Sequence, residues 1–384
     1  MFRISPLSLA ILGSALIALS FGLSRFAFGL FVPTIRESLL LSPTIIGLVA
    51  AQAYTGFALA SVFASRLAAR FGARRLASAA TVSLCAGLLM IALAQGAWLL
   101  ALGVLLCGIG TGLMMPALAV AVRTVVHPHR QGRMNAMLNA ATGAGIVLAV
   151  MAVFGLGEAW RAAYLVFLVL GMIVLAAAWA LLPDNEAPVR HDYERFELGR
   201  AGVFIRLAVL AFGMGVVSSV YWVFAPDLLV ARGELSGGGA AWLWLAVGIF
   251  GLVGGLAGDL MDRWHGVRVH AGAMSLLVGA LVLLVMVPQH LGLAVLSAAL
   301  FGFGYMTLSG IYLVDAIRLA GARPARGAVV AFVATTLGQA MGASLSGLAI
   351  SEAGYLATFL GFAALGVILV LASPLFPTTQ PVDS

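Results

Sequence analysis

The feature that most constrains this chain is a succession of apolar runs, each long enough to cross a membrane as a helix. A helix needs about 20 mostly apolar residues to span ~30 Å of hydrocarbon. The first run continues through Phe26 and Phe31 without a small-residue cleavage site, so it is interpreted as a span and not as a signal peptide. Twelve runs are predicted, at approximately 8–32, 43–65, 76–96, 98–122, 134–156, 160–182, 203–226, 240–261, 269–288, 291–314, 328–350 and 355–376. The pattern therefore predicts an all-α membrane protein with twelve transmembrane helices.

The composition excludes most soluble classes of protein. Of 384 residues, 62% are hydrophobic and only 9% are charged, whereas soluble domains are about 25% charged. The two cysteines, Cys85 and Cys107, lie inside apolar runs and form no disulfide framework or metal-binding spacing. The six histidines form no catalytic or metal-binding cluster. The sequence therefore predicts no enzyme activity, no cofactor and no metal.

The positions of the arginines predict the orientation of the chain. All 21 basic residues are arginine, and together they give a net charge of +7. If the N-terminus is cytoplasmic, seventeen of them fall in inner loops, while only Arg36, Arg161 and Arg232 fall in outer ones. Cytoplasmic loops of membrane proteins are enriched in arginine and lysine. The expected location is thus a cell membrane, a bacterial inner membrane, with both termini cytoplasmic, and nucleic acid is excluded as a partner.

The chain divides near its middle. The longest polar stretch, at about 183–202, carries charges of both signs and follows the sixth predicted span. It is interpreted as a cytoplasmic linker, residues 184–202, between an N-terminal six-helix bundle, 1–183, and a C-terminal one, 203–384.

The two predicted halves are related by an internal repeat. At an offset of 193 residues, Pro33 matches Pro226 and Arg70 matches Arg263, each in a similar local context. Parallel repeats of six helices occur in one large transporter fold.

Two loops carry a family resemblance. The stretch Gly258–Arg268, GDLMDRWHGVR, resembles the loop signature of the major facilitator superfamily, Gly-x-x-x-Asp-Arg-x-Gly-x-Arg, with one inserted residue. The first-half copy, SRLAARFGARR, keeps Arg70 and Gly72 but has Ser65 in place of glycine and Ala69 in place of aspartate. The resemblance implies two six-helix bundles that rock about a central cavity and carry a small solute across the membrane.

Arg25 is the residue that the predicted topology does not explain. It lies beyond the middle of the first span, where a charge costs ~2.5–3.5 kcal/mol on insertion scales. The resemblance implies that the first helix lines the cavity, where Arg25 would bind a carboxylate or another anion. The alternatives are that it reaches the membrane surface or pairs internally with Asp227.

Polar and aromatic residues within several other spans are further candidates for substrate binding. With Arg25, the predicted set comprises Gln52, Tyr54, Asn139, Tyr221, Trp222, Trp244, Tyr305 and Gln339. Large amphipathic rings suit the recognition of an organic solute. The alternatives for these residues are hydrogen bonding between helices and, for the rings, a position at the membrane surface.

The signature loops are candidate gates at the inner face. The predicted gating residues are Arg70, Arg74, Arg75, Asp262 and Arg263. Charges at these positions would pair across the inner surface and hold the outward-facing state closed. The alternative is that they determine topology only.

These observations predict a secondary active transporter of a small organic solute, with an organic anion as the candidate that Arg25 suggests. Efflux of amphipathic compounds is the alternative, and a membrane receptor or scaffold that kept the fold but lost transport is an alternative of another class. The predicted partners are the solute, the lipid bilayer and a coupling ion in some of the mechanisms left open. The protein is expected to be a monomer.

Overall fold

The computed structural model describes residues 4–184, 201–233, 237–254, 265–320 and 324–376. The predicted linker beyond residue 184, and the predicted gating residues Asp262 and Arg263, lie outside these ranges. The described residues are almost entirely helical, as the apolar runs predicted.

The N-terminal helices, which lie before residue 184, form five continuous rods. The first is continuous from Pro6 to Leu39 and consists of α1 (Pro6–Ile17), a π-helical segment (Ala18–Phe26) and α2 (Ala27–Leu39). It is followed by α3 (Pro43–Ala92), α4 (Ala97–Val125), α5 (Pro128–Leu156) and α6 (Trp160–Leu181). Ser42 caps α3 by accepting a hydrogen bond from the backbone N–H of Ile45, with Pro43 at the first helical position.

The C-terminal helices, which lie after residue 200, repeat this plan. They are α7 (Ala201–Gly233), α8 (Gly237–Gly254), α9 (Gly266–Met286), α10 (Leu291–Ala320) and α11 (Pro324–Leu371), followed by a short 3₁₀ turn (Ser373–Leu375). Pro33 lies inside α2 and its repeat partner Pro226 inside α7.

Two of the helices are too long for one crossing and are broken by a glycine. The helix α3 has 50 residues and is interrupted at Gly72, where φ is 73°. The helix α11 has 48 residues and is interrupted at Gly354, where φ is 76°. Glycine adopts positive φ without the steric cost that a Cβ imposes. Both breaks fall between predicted spans, so each long helix is consistent with two crossings.

Nine helices within the described ranges are long and apolar enough to cross a membrane, and the shorter apolar helix α8 lies beside them. The helical membrane fold is therefore confirmed, while the count of twelve crossings stays a prediction.

The two sets of helices meet along a shared interface. The pairs α3 with α11, α5 with α8 and α2 with α7 pack across it. We call the end of the molecule that carries the turn between α2 and α3 the Arg36 face. The opposite end, which carries the break at Gly72, is the Arg74 face, because the first part of α3 runs from one to the other.

Candidate functional site

A π-helical segment interrupts the first span. The hydroxyl groups of Ser20 and Ser24 donate to the carbonyls of Leu16 and Leu19, each at 2.8 Å, and Thr111 on α4 donates to the carbonyl of Ser20 at 2.8 Å. π-helical turns are rare in proteins, and those that occur are frequently found at functional sites. Arg25 lies in this segment. The π geometry was not predicted, although two serines in an apolar run are a signal that could have suggested it.

Arg25 is buried at the interface between the two sets of helices, with 9% of its surface exposed. Its Nη2 donates to Oε1 of Gln339 on α11 at 2.9 Å, and Nε2 of Gln339 donates to the hydroxyl of Tyr305 on α10 at 3.1 Å. The guanidinium carbon lies 4.5 Å from the ring centre of Phe57 and 5.2 Å from that of Tyr54. Its direct partners are thus a neutral amide and aromatic rings.

The predicted alternative of an Arg25–Asp227 pair is wrong, because Asp227 is paired elsewhere. Its Oδ2 lies 2.5 Å from Nη1 of Arg36 on α2. The hydroxyl of Tyr355 on α11 accepts from the same Arg36 nitrogen at 2.9 Å and donates to the same Asp227 oxygen. Arg25 and Arg36 are eleven residues apart, about 16 Å along a helix, so one carboxylate does not serve both.

A small cavity adjoins Arg25 at the interface, with room for about one water molecule in this conformation. Its wall contains Arg25 and Phe26 from the first span, Tyr54 from α3, Val104 from α4 and Trp222 from α7. Within the described ranges, this lining contains no acidic side chain. The cavity therefore presents a cation surrounded by aromatic and small apolar groups.

Aromatic residues of the C-terminal helices form one side of the cavity. Trp222 stacks on Phe26 with ring centres 4.4 Å apart, and it meets Tyr305 edge-on at 5.2 Å and Trp244 edge-on at 6.0 Å. Nε1 of Trp244 donates to the carbonyl of Phe26 at 2.9 Å. This bond ties α8 to the last residue of the π-helical segment.

The structure brings most of the predicted substrate-binding residues together, but not all of them. Arg25, Tyr54, Trp222, Trp244, Tyr305 and Gln339 form one connected group. Tyr221 instead stacks on Phe301 at 4.0 Å and hydrogen bonds Ser297 at 3.0 Å, among the C-terminal helices. Gln52 donates to the carbonyl of Leu48 on its own helix at 3.2 Å, and Asn139 is exposed. A role in binding stays a prediction for all nine.

The predicted gating arginines make local contacts. Nε of Arg74 donates to the carbonyl of Leu182 at 2.6 Å, and Arg74 and Arg75 each lie 3.6 Å from a carboxylate oxygen of Asp184. Arg70 lies over the neighbouring ring of Phe71 at 5.4 Å. The contacts of Arg74 and Arg75 join the end of α6 to the break in α3, within the N-terminal helices.

Sequence comparison identifies the family. The profile of the Major Facilitator Superfamily matches residues 14–336. The chain belongs to this superfamily, which confirms the resemblance of its signature loops, and it is a multi-pass membrane transporter and not an enzyme. No curated protein matches the chain significantly in sequence.

Solved structures share the fold at low sequence identity. A variant of the nucleoside transporter NupG is 13% identical with a TM-score of 0.80, and the match covers 96% of this chain and 100% of that one. A D-xylose-proton symporter is 16% identical with a TM-score of 0.81, over 97% and 98% of the two chains. A bacterial homologue of the lysosomal transporter Spinster, in an inward-facing and occupied conformation, is 16% identical with a TM-score of 0.74, over 96% and 95%. At these identities the similarity shows the shared fold alone.

Proposed function

We propose that the protein moves a small organic anion by alternating access, with Arg25 as the anchor of the substrate. The observation that carries the proposal is the burial of this guanidinium at the interface, where its hydrogen-bond partner is the neutral amide of Gln339. A buried charge is costly unless an opposite charge or a set of hydrogen bonds compensates it. A substrate carboxylate would supply that compensation, and the aromatic walls would hold its organic part.

The contacts across the interface support closure on the Arg36 face. Besides the Arg36–Asp227 pair, Thr44 hydrogen bonds Ser351 between their hydroxyls at 2.8 Å. The backbones of Gly47 and Gly347 approach so closely that a Cβ added at Gly47 would lie 3.0 Å from the Cα of Gly347. Small residues of this kind allow two helices to pack tightly.

The exposure of α5 supports an opening on the other face. Over residues 127–137, within the described range, no residue is buried. Only Gln131 and Met134 are half-buried in these three turns, so neighbouring helices cover little of their surface. If the N-terminus is cytoplasmic, the Arg36 face is the outer one, and the structure corresponds to an inward-facing state.

The alternatives predict different ligands or a different outcome. Efflux of amphipathic compounds predicts binding of hydrophobic cations, which the charge of Arg25 opposes. A receptor or scaffold predicts binding without flux. Coupling of transport to an ion is an open part of the proposal, because the cavity lining among the described residues offers no carboxylate.

Thermal stability of the purified protein tests the ligand class. We expect organic carboxylates, but not hydrophobic cations, to raise the melting temperature of the wild type, since a ligand at 100 times its Kd stabilises by about 2.7 kcal/mol. Arg25→Gln should abolish this rise. Arg161→Gln is the matched control, because Arg161 also lies at a span but donates to the carbonyl of Ala94 and stacks on Trp160. An unchanged carboxylate response in Arg25→Gln would contradict the anchor.

Flux measurements test transport itself. In proteoliposomes, an unlabelled carboxylate inside should drive uptake of the same labelled carboxylate from outside, and Arg25→Gln should prevent it. Binding without any such exchange in the wild type would favour the receptor alternative.

A further inference from the structure

Two buried N–H groups that line the cavity lack an acceptor among the described residues. They are Nε of Arg25 and Nε1 of Trp222, and each atom is inaccessible to solvent. The two side chains are 9% and 3% exposed and belong to opposite sets of helices. A buried donor without an acceptor is unfavourable, because it has lost its hydrogen bonds to water without replacing them. Both donors therefore point to a ligand that carries acceptor oxygens.

The geometry at Arg25 narrows the kind of acceptor. Nε and Nη2 form one edge of the planar guanidinium, and this edge matches the two oxygens of a carboxylate. Here the amide of Gln339 supplies a single oxygen, which bonds Nη2 at 2.9 Å. A carboxylate would bond both nitrogens of the edge, and its remaining lone pairs could accept from Trp222.

The other residues that line the cavity indicate the chemical character of the rest of the ligand. Ser24 is a hydroxyl residue in the wall, but it already donates to the carbonyl of Leu19 at 2.8 Å. The remaining wall consists of aromatic rings and of small residues such as Gly29, Ala50 and Ala53. Tyr54 supplies the one other hydroxyl group of the described lining. A flat apolar ring would enter by separating the rings of Phe26 and Trp222, which stack on each other at 4.4 Å, and would replace that contact by stacking on both.

We infer that the cavity recognises aromatic monocarboxylates, with the carboxylate bound by Arg25 and Trp222 and displacing the amide of Gln339. This inference rests on the proposed function, because it assumes that the Arg25 cavity is the substrate site. It makes Trp222 a specificity-determining residue and Gln339 the internal competitor of the substrate.

The test measures binding of four probes to the purified protein by calorimetry: 2-naphthoate, benzoate, acetate and the neutral benzamide. We expect affinity to fall in the order naphthoate, benzoate, acetate, with no binding of benzamide. Trp222→Phe keeps a ring but removes the donor, and should weaken benzoate binding about tenfold, the ratio to which ~1.4 kcal/mol corresponds. Trp98→Phe is the matched control, because Trp98 is 86% exposed, and its affinities should equal those of the wild type.

We call the binding of the ligand carboxylate by Arg25 and Trp222 the carboxylate clamp. Substitutions of Gln339 distinguish loss of this clamp from a general loss of structure. Gln339→Glu replaces the neutral amide beside Arg25 by a carboxylate of nearly the same volume, which would occupy the guanidinium itself. Benzoate binding should therefore be lost while the melting temperature is kept. Gln339→Ala removes the competitor, and benzoate should bind at least as tightly as in the wild type.

The outcomes distinguish the inference from the proposed function. Equal affinities for acetate and naphthoate that both need Arg25 would overturn the aromatic selectivity and leave the anion anchor standing. Benzoate binding that is unchanged in Trp222→Phe and in Gln339→Glu would overturn the clamp. Carboxylate binding that is indifferent to Arg25→Gln would overturn the proposed function as well.

Discussion

Arg36 and Asp227 form an ion pair of 2.5 Å that joins the first span to α7. The two residues follow closely on Pro33 and Pro226, which occupy matching positions in the internal repeat. The aspartate side chain is 5% exposed and the arginine side chain 25%. The first half of the internal repeat thus carries a cation shortly after its proline, and the second half carries an anion directly after the matching proline. The two halves of the chain therefore bind each other at the Arg36 face.

Removing the charge of Asp227 should open the Arg36 face. Removing one partner of a buried ion pair lowers the stability of the paired state by about 3–5 kcal/mol. Because the Arg36 side chain is 25% exposed, we expect a value at the low end of this range. We expect Asp227→Asn to speed the labelling of a cysteine in the cavity, Ala50→Cys, at least tenfold. The measurement uses a membrane-impermeant maleimide added outside intact cells, with Cys85 and Cys107 replaced by alanine.

A cysteine at the exposed Trp98 position controls for access in that experiment. Trp98 lies at the start of α4, directly after the turn from α3, and is 86% exposed. Trp98→Cys should therefore be labelled equally with and without Asp227→Asn. Cavity labelling that does not respond to Asp227→Asn would contradict a gating role for the pair.

Tyr355→Phe should weaken the same closure to a smaller extent. The hydroxyl bonds both Arg36 and Asp227, but the ion pair itself remains when the hydroxyl is removed. A single hydrogen bond contributes about 0.5–1.5 kcal/mol, and somewhat more when its partner is charged. The labelling rate of the cavity cysteine should therefore lie between those of the wild type and Asp227→Asn. A rate above that of Asp227→Asn would show that the tyrosine is the main contact.

Two glycines of α5 should respond oppositely to the same substitution. A Cβ added at Gly145 would lie 2.3 Å from the carbonyl oxygen of Ala18, whereas one added at Gly155 meets nothing within 4 Å. Glycine inside a helix costs roughly 0.5–1 kcal/mol relative to alanine. Gly155→Ala should thus keep or raise the melting temperature in detergent, and Gly145→Ala should lower it by several degrees. Equal melting temperatures would mean that the π-helical segment can move away from α5.

His270 should stabilise the end of the chain that the structure describes. Its ring lies 2.7 Å from the hydroxyl oxygens of both Ser373 and Tyr312, and it stacks on Phe376. His270→Phe keeps a ring but leaves two buried hydroxyl groups without this partner, so the free energy of unfolding should fall by about 1–3 kcal/mol. Hydrogen exchange in residues 369–376 should accelerate. His290→Phe, at an exposed position, is the control and should change neither quantity.

Much of the fold was predictable because membrane insertion is decided locally. Each span depends on the hydrophobicity of about 20 consecutive residues, so the apolar runs predicted the helices and placed the breaks of α3 and α11 between runs. The signature loops predicted the superfamily, which the sequence comparison confirmed. Arg25 was also predicted as exceptional, because a charge within an apolar run is visible without any knowledge of packing.

The site was predictable only in part, because pairing between distant helices depends on how they pack. The sequence placed Arg25 in the first span and Gln339 in the eleventh predicted span, but nothing in either stretch showed that they bond each other over 314 positions. Asp227 was offered as a partner for Arg25, and the tertiary structure paired it with Arg36. The π-helical segment was missed for a similar reason, since its carbonyl groups are bonded by Thr111 on α4 and Trp244 on α8.

The sequence by itself determined that the chain is a helical membrane protein of a transporter superfamily with one arginine deep in its first span. Hydrophobic runs and short motifs are local properties, so they carry that information without a structure. The tertiary structure alone decided which groups surround that arginine. It replaced an expected carboxylate with the amide of Gln339 and placed the aspartate on the Arg36 face. The physical reason is that the free energy of membrane insertion is a sum over residues that are neighbours in sequence. The partners of a buried charge, by contrast, are neighbours only in space.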